Sequence, residues 1–302
     1  MTLRIDQLPY FFWRFTRNIL CIAPWTRRLL FAPQELATRF GPGNATYAWS
    51  VFARHHERLK QSGYAGASRI LEVGPGRNIG TSLLWYAIEK GKGNSPNVVL
   101  WDVFPNARIE SEAWRECASG LFGSMPADTV LDKKTTAVLH AVAEGHLVPD
   151  IDYQVCPCRR LLELYRGRPF ELIYSQASLE HVWDIQDTWD VLRGVTAPGA
   201  WHSHRIDLAD HGRRETNFIE MLEWPEWAYQ LTTRFIPGGI NRWRASQHIG
   251  YLREMGFDII KEESQVQPRL PIERKQMAEP FRSMDDRDLR TTAVDITAKL
   301  IA

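Results

Sequence analysis

Cysteine is scarce in this 302-residue chain: four residues, at 21, 117, 156 and 158, form neither a disulfide framework nor a zinc motif. Cys156-Pro157-Cys158 has one intervening residue and no second pair to complete a metal set. An excess of charge of one sign is also missing, since 37 basic side chains face 36 acidic ones for a net charge of +1. Phosphate backbones are held by concentrated basic surface, so this balance excludes nucleic acid as the default partner. No stretch approaches the ~18 uninterrupted apolar residues that span a bilayer. Internal repeats and low-complexity segments are absent, which excludes solenoids and disordered tails. The scarcity of cysteine fits a reducing, cytoplasmic compartment.

What the chain does have is apolar mass, 44% of its residues, and 12 tryptophans, none after Trp243. That exceeds what a core of this size requires, so some of the indoles are expected to line a pocket or an interface, including a homodimer interface. The first 40 residues carry arginines at 4, 14, 17, 27, 28 and 39, interleaved with Tyr10, Phe11, Phe12, Trp13, Phe15, Trp25 and Phe31. Arg14 and Arg17 interrupt the apolar run, unlike a signal peptide. An amphipathic helix of this kind can lie on a membrane surface. The favoured reading is helices that cap a domain with their arginine heads in water.

Helical spacing covers Tyr47 to Gln61, with Gly63 as its stop. The pattern then changes to short buried runs alternating with helices. Strands are predicted at Arg69 to Val73, Asn97 to Trp101, Ile151 to Val155, Phe170 to Tyr174, Ala200 to Leu208, Phe257 to Glu262 and Thr292 to Leu300. Helices are predicted at Ile79 to Lys90, 107 to 119, Arg159 to Tyr165, Asp184 to Val195 and from Ser246 to Gly256. The alternation along Thr292 to Leu300 reads as a strand exposed on one side. Strands alternating with helices indicate a parallel sheet covered on both faces. The organisation expected is a helical extension or cap over 1–64 and an α/β domain over 65–302, with a variable insert at about 120–150.

The most informative stretch is Ile70-Leu71-Glu72-Val73-Gly74-Pro75-Gly76-Arg77-Asn78-Ile79-Gly80. A strand that runs through a glycine turn into a helix presents bare backbone N–H groups to a ligand. A dinucleotide fingerprint starting at Gly74 would need glycine at 79, where Ile79 stands, which disfavours an oxidoreductase. The chain here resembles the class I S-adenosylmethionine-dependent methyltransferases. Val98-Val99-Leu100-Trp101-Asp102 is similar to their second strand, Phe170 to Val182 to their fourth strand and its turn, and Ala197-Pro198-Gly199-Ala200 to the turn before strand five. Four motifs in order over about 140 residues are more specific than any one of them.

The resemblance implies a doubly wound, seven-stranded Rossmann-like αβα sandwich that binds S-adenosyl-L-methionine and methylates an oxygen or nitrogen of a small-molecule acceptor. It implies the turn Gly74, Pro75, Gly76 and Asn78 against the methionine portion and Glu72 near its amino group. Asp102, followed by Val103, falls on the ribose hydroxyls, and Ser175 and Gln176 lie by the sulfonium. Asn78 replaces a third glycine, which is tolerable because asparagine enters left-handed conformations. The acidic residue that relatives use for adenine is replaced by Cys156-Pro157-Cys158. A protein that binds the cofactor without methyl transfer is the alternative.

The end of strand five, His202-Ser203-His204-Arg205-Ile206-Asp207-Leu208-Ala209-Asp210-His211, falls where ligands bind in open α/β sheets. Three readings stand. His204 or His211, oriented by Asp207 or Asp210, removes an acceptor proton, with His181 as a further candidate base. Alternatively His204, Asp207 and His211, with His181, hold a divalent metal. In the third, the aspartates cap a turn and the histidines pack. No metal ligand is assigned. Trp224-Pro225-Glu226-Trp227 and Asn241-Arg242-Trp243-Arg244 flank Pro237-Gly238-Gly239 and suggest an acceptor lid at about 212–245, with Arg242 or Arg244 meeting an anion. Trp13, Trp25, Trp49, Trp183, Trp224, Trp227 and Trp243 are the candidates for shaping the acceptor pocket.

Overall fold

The computed structural model describes residues 7–23, 25–26, 44–124, 131–146, 150–236 and 238–301. Arg4, Arg27, Arg28, Phe31, Arg39 and Pro237, and parts of the 120–150 insert, lie outside the described residues. Seven strands form one sheet in the order β3-β2-β1-β4-β5-β7-β6. They are β1 (Arg69–Val73), β2 (Asn97–Asp102), β3 (Ile151–Val155), β4 (Phe170–Gln176), β5 (Thr196–Asp207), β6 (Phe257–Val266) and β7 (Thr291–Leu300). The first five are mutually parallel, and β7 runs antiparallel between β5 and β6. This is the seven-stranded, doubly wound Rossmann-like sandwich that the methyltransferase resemblance implies.

The alternation of a strand sorts its side chains onto two faces. From β1, Ile70 joins a core with α2 (Ala45–Gln61), α3 (Gly80–Gly91), α4 (Ser111–Ser124) and α5 (Lys133–Ala143). Leu71 and Val73 join the opposite core under α6 (Cys158–Tyr165), α7 (Ile185–Gly194) and α9 (Ala245–Glu254). The part of the insert that could not be placed from sequence is therefore helical packing on α3. A third core joins α1 (Leu8–Leu20) and α8 (Glu226–Thr233) through Phe11, Ile219, Leu222, Trp224 and Tyr229.

Helix α1 docks on the segment that carries α8. Arg14 bonds Glu220 and Thr233 at 3.3 and 3.0 Å, and Asn18 donates to the Leu231 carbonyl and accepts from the Phe235 N–H. The outward side of this cap leaves Phe12, Trp13, Ile19 and Ile22 exposed.

The half-exposed edge expected for β7 is corrected: nine of its ten residues are buried. Of its polar positions only Lys299 is exposed, while Asp295 is covered from α2 and β5. Arg58 donates to the Asp295 carbonyl at 2.9 Å, and Arg205 pairs with the Asp295 carboxylate. The N-terminal start of α9 also differs. Ser246 does not cap it with its own hydroxyl; Asp288, on α10 (Asp286–Arg290), accepts from both the Ser246 N–H and its hydroxyl.

Gly80 lets α2, α3 and α4 approach closely, because a Cβ there would lie 2.6 Å from Ala48 Cβ and 2.9 Å from Cys117 Sγ. Gly80→Ala is expected to destabilise the fold by about 1–3 kcal/mol, the usual range for overpacking. Urea denaturation measures this, and an unchanged midpoint would contradict the packing described.

Candidate active site

The glycine turn, the end of β2, the turn after β4 and the end of β5 meet at the carboxyl edge of the sheet. Gly74 (φ +69°) and Gly76 (φ +63°) adopt left-handed backbone. A Cβ on Gly74 would lie 2.5 Å from Ser178 Cβ, so glycine is required for the β1 turn to touch the β4 turn. Ser178 Oγ ties that contact by donating to the Val73 carbonyl at 2.8 Å. At Gly76 the opposite holds: no atom lies within 4 Å of where a Cβ would stand. The turn is thus anchored on one side and open on the other.

Asp102 ends β2 beside this open turn. Burial pushes its carboxyl up to about 6, against the pull of hydrogen bonds from Asn106, the Gly76 N–H, Tyr153 and the Val103 N–H. The Asn106 amide lies at 3.3 Å and the Tyr153 hydroxyl at 3.5 Å. The Val103 side chain itself projects to solvent. The residues present therefore fit a ribose-bearing ligand: a carboxylate held in place next to bare backbone and free space.

Glu72 is placed differently from expectation. It is buried on the α3 side of β1, where Ser82 donates to its carboxylate and the Tyr174 hydroxyl lies beside them. Burial pushes its carboxyl up to about 7, opposed by the Ser82 and Tyr174 bonds. Asn78 is also corrected, since it is not left-handed: Ala177 is the one non-glycine residue in that region among the described residues. Instead Asn78 Oδ1 accepts from the Gly80 N–H at 2.9 Å and Nδ2 donates to the Asn44 carbonyl at 2.9 Å. Ser175 turns its hydroxyl inward to His204, and Gln176 accepts from Arg54 at 3.2 Å.

His204 as an acceptor-facing base is corrected. It is fully buried beneath Trp189, with Nδ1 2.7 Å from Ser175 Oγ and Nε2 3.0 Å from His202 Nδ1. The chain continues from His202 to Thr196 and the Leu192 carbonyl. Both ring nitrogens are engaged inside the sheet, and burial holds the imidazole well below its usual range. The period of two explains this: on β5, His202, His204 and Ile206 share the interior face.

His181 and His211 do come together, with ring centroids 5.2 Å apart. Asp207 Oδ2 lies 3.5 Å from His211 Nε2, and Arg214 pairs with the same carboxylate. Burial raises the Asp207 carboxyl, but hydrogen bonds from His211 and Arg214 outweigh it and the net shift is downward. Asp210 instead accepts from the Gly212 and Arg213 N–H groups and holds the turn. Sequence reasoning missed Glu180, which is buried beside His181; burial pushes its carboxyl up to about 8. An acidic residue directly before the histidine of the β4 turn was the available signal.

The lid arginines are corrected as well. Arg242 donates to the Met221 and Trp224 carbonyls and pairs with Glu226, while Arg244 donates to the Leu208, Asp288 and Thr291 carbonyls. Neither is left for an anionic ligand. Of the tryptophans, Trp183 and Trp243 line an open cleft of about 490 Å³ with Arg159 and Ile185. Trp224 is buried in the cap, donating to Glu220, and Trp13 and Trp25 are exposed, so these three do not shape that cleft. None of the four cysteines forms a disulfide among the described residues; Trp101 donates to the Cys156 carbonyl, and Cys158 Sγ lies 3.7 Å from Thr188 Oγ1.

No protein-family model matches the chain, and no curated protein does. Among solved structures it is similar to the [4+2]-cyclase SpnF, at 15% identity and TM-score 0.45 over 86% of this chain and 85% of that one. A putative S-adenosylmethionine-dependent methyltransferase from Listeria monocytogenes gives 12% identity and TM-score 0.43 over 83% and 99%. The N-methyltransferase NodS from Bradyrhizobium japonicum WM9 gives 14% and 0.40 over 82% and 95%. Likeness this distant does not say what the present chain acts on.

The raised pKa of Glu72 has a consequence for stability. A carboxyl whose folded pKa of about 7 exceeds its ordinary value of 4.5 stabilises the fold fully below about 4.5 and loses that contribution as pH rises through about 7. Glu72→Gln removes the dependence. The ligand-free variant is expected to gain stability relative to the parent on going from pH 4 to pH 8, on the order of 3 kcal/mol. Chemical denaturation across that range measures it; a difference independent of pH would contradict the buried, neutral-favouring environment.

Proposed function

We propose that this chain is a class I S-adenosylmethionine-dependent methyltransferase acting on an oxygen or nitrogen of a small molecule. The observation that carries the reading is the pairing of the open Gly76 turn with the half-buried Asp102 at the carboxyl edge of the sheet. Asp102, as an ionised acceptor, suits the two hydroxyls of a ribose, and Asn106 and Tyr153 hold it in place. The Gly74-Pro75-Gly76 turn offers backbone to the methionine end, and Glu72 supports that turn from behind through Ser82 on α3. Ser175 and Gln176 contribute through backbone next to the reacting centre, because their side chains are engaged elsewhere.

Held by Asp102 and the Gly74 to Gly76 backbone, S-adenosylmethionine would supply an electrophilic methyl group for transfer to the acceptor. The protein's part is to align the acceptor and exclude water. His181 and His211 face the acceptor side beyond the ends of β4 and β5, and Asp207 orients His211. The proton released by a hydroxyl or amine passes to His211 on the ring nitrogen turned away from Asp207. Trp183 and Trp243 line a cleft together with Arg159, Asp184 and Asp187. No helix among the described residues is long and apolar enough to cross a membrane.

Titration calorimetry with S-adenosylmethionine, S-adenosylhomocysteine and NAD tests the assignment. Both sulfur compounds are expected to bind, and Asp102→Ala to weaken them by about 1–3 kcal/mol, the range for lost hydrogen bonds to a charged group. Affinity in the parent should fall as pH drops through about 6, where Asp102 takes up its proton, and the variant should lack that step. Binding of NAD with no response to either sulfur compound would overturn the reading.

A further inference from the structure

The carboxyl edge of the sheet holds a group that cofactor binding does not use. Glu180, in the 3₁₀ turn after β4, is only 2% exposed, yet neither carboxylate oxygen accepts a hydrogen bond of normal geometry among the described residues. The backbone N–H groups of Glu180 and Asp207 lie near enough to favour its charged form but do not reach that geometry. Arg214, the neighbouring cation, pairs with Asp207. A buried carboxylate in that state is costly unless something compensates it.

What surrounds Glu180 is two imidazoles. One ligand atom from each of Glu180, His181 and His211 lies within 4.8 Å of the others, and the set grades from buried Glu180 to exposed His211. His181 Nδ1 lies 3.1 Å from the Gly239 carbonyl. A carbonyl only accepts, so Nδ1 carries the proton and Nε2 is left with its lone pair. Asp207 stands behind His211 at 3.5 Å. A carbonyl behind one histidine and a carboxylate behind the other are the supports that metal-binding imidazoles use.

We infer that Glu180, His181 and His211 form a binding site for a divalent transition-metal ion, with Asp207 and the Gly239 carbonyl orienting the two histidines. Two imidazoles and one carboxylate suit a borderline ion such as zinc or iron(II) and leave coordination positions open on the exposed side. Ligand atoms around zinc stand about 3–4 Å apart, so closing the set takes about an ångström, which the exposed His211 can supply. The site goes deeper than the base reading above. In place of proton abstraction by a free His211, an acceptor hydroxyl or carboxylate takes an open position on the ion. The ion then orients the acceptor and makes a bound hydroxyl more acidic, so that its proton passes to solvent water on the exposed side of the set as the oxygen is methylated. One of the three sequence readings grouped His204, Asp207 and His211, with His181, around a metal; in the fold His204 is turned inward, Glu180 stands with the two remaining histidines, and Asp207 lies behind His211.

The metal site rests on the methyltransferase reading only for what the ion does, not for whether it binds. The test is titration of the chelator-dialysed full chain with Zn²⁺ by calorimetry, with the visible spectrum of the Co²⁺-loaded protein alongside. One equivalent of Zn²⁺ is expected to bind, weakened at least about tenfold in both Glu180→Gln and His211→Ala. Glu180→Gln is close in shape and His211 is exposed, and circular dichroism checks that both variants fold. Both variants should keep the parent's affinity for S-adenosylhomocysteine. Absence of saturable one-equivalent binding, or equal Zn²⁺ affinity in the parent and both variants, overturns the site. A protein that binds Zn²⁺ as described but no S-adenosylhomocysteine would keep the metal site and refute the cofactor instead.

Discussion

The contact between Gly74 and Ser178 fixes the geometry on which the functional edge depends. Strand β1 lies between β2 and β4, and at its end the chain is held to both. The Gly74 N–H donates to the Trp101 carbonyl at 2.8 Å, and Ser178 donates to the Val73 carbonyl at 2.8 Å. Because a Cβ at 74 would overlap Ser178, the turn can close on β4 only with glycine there. Once closed, it brings Gly76 to Asp102 on one side and starts the β4 turn on the other. Ala177, left-handed at φ +48° and donating to the Arg205 carbonyl, then directs Glu180 and His181 toward the end of β5. Strain of this kind, about 1–2 kcal/mol for a residue with a Cβ, tends to collect at ligand sites.

A second organising feature is the set of polar groups buried against the sheet. Ser175, His204, His202 and Thr196 form a relay on one face, and α2 delivers His55 to Ser203 and Arg58 to Asp295 on the other. Each residue in these sets has at least one partner, which limits the penalty for burying polar atoms, although His55 Nε2 is left without one. Glu180 departs from that pattern: it lies in the turn beyond β4, and its carboxylate is unsatisfied. The contrast, more than the presence of histidines, separates structural imidazoles from those facing a ligand. The N-terminal helix completes the arrangement from outside by joining the 219–229 segment into one apolar cap.

Much of this was legible in the sequence because it depends on local backbone chemistry. Period-two burial, the Gly74-Pro75-Gly76 turn and the aspartate ending β2 located the sheet and the edge proposed for the cofactor. What was not legible depends on partners distant in the chain. The alternation in β7 predicted a wet face, but α2, more than 230 residues earlier, covers it through Arg58. Arg242 and Arg244 looked free for an anion, and only the fold shows the carbonyls that engage them. His204 and His211 are equivalent as letters; one lies on an inward-facing strand position and the other on an exposed turn. The seven tryptophans singled out fall into four places: cap core at Trp224, cleft wall at Trp183 and Trp243, the α2 side of the sheet core at Trp49, and outward surface at Trp13, Trp25 and Trp227.

The central claim is that one edge of the sheet holds the cofactor against Gly76 and Asp102 and presents it toward His181 and His211. A crystal structure of the complex with S-adenosylhomocysteine tests this most directly. The account predicts the ribose hydroxyls on the Asp102 carboxylate, the homocysteine end along the Gly74 to Gly76 backbone, and the sulfur directed toward the ends of β4 and β5. Density for the ligand elsewhere, or a ribose that leaves Asp102 bound only to Asn106 and Tyr153, would contradict it.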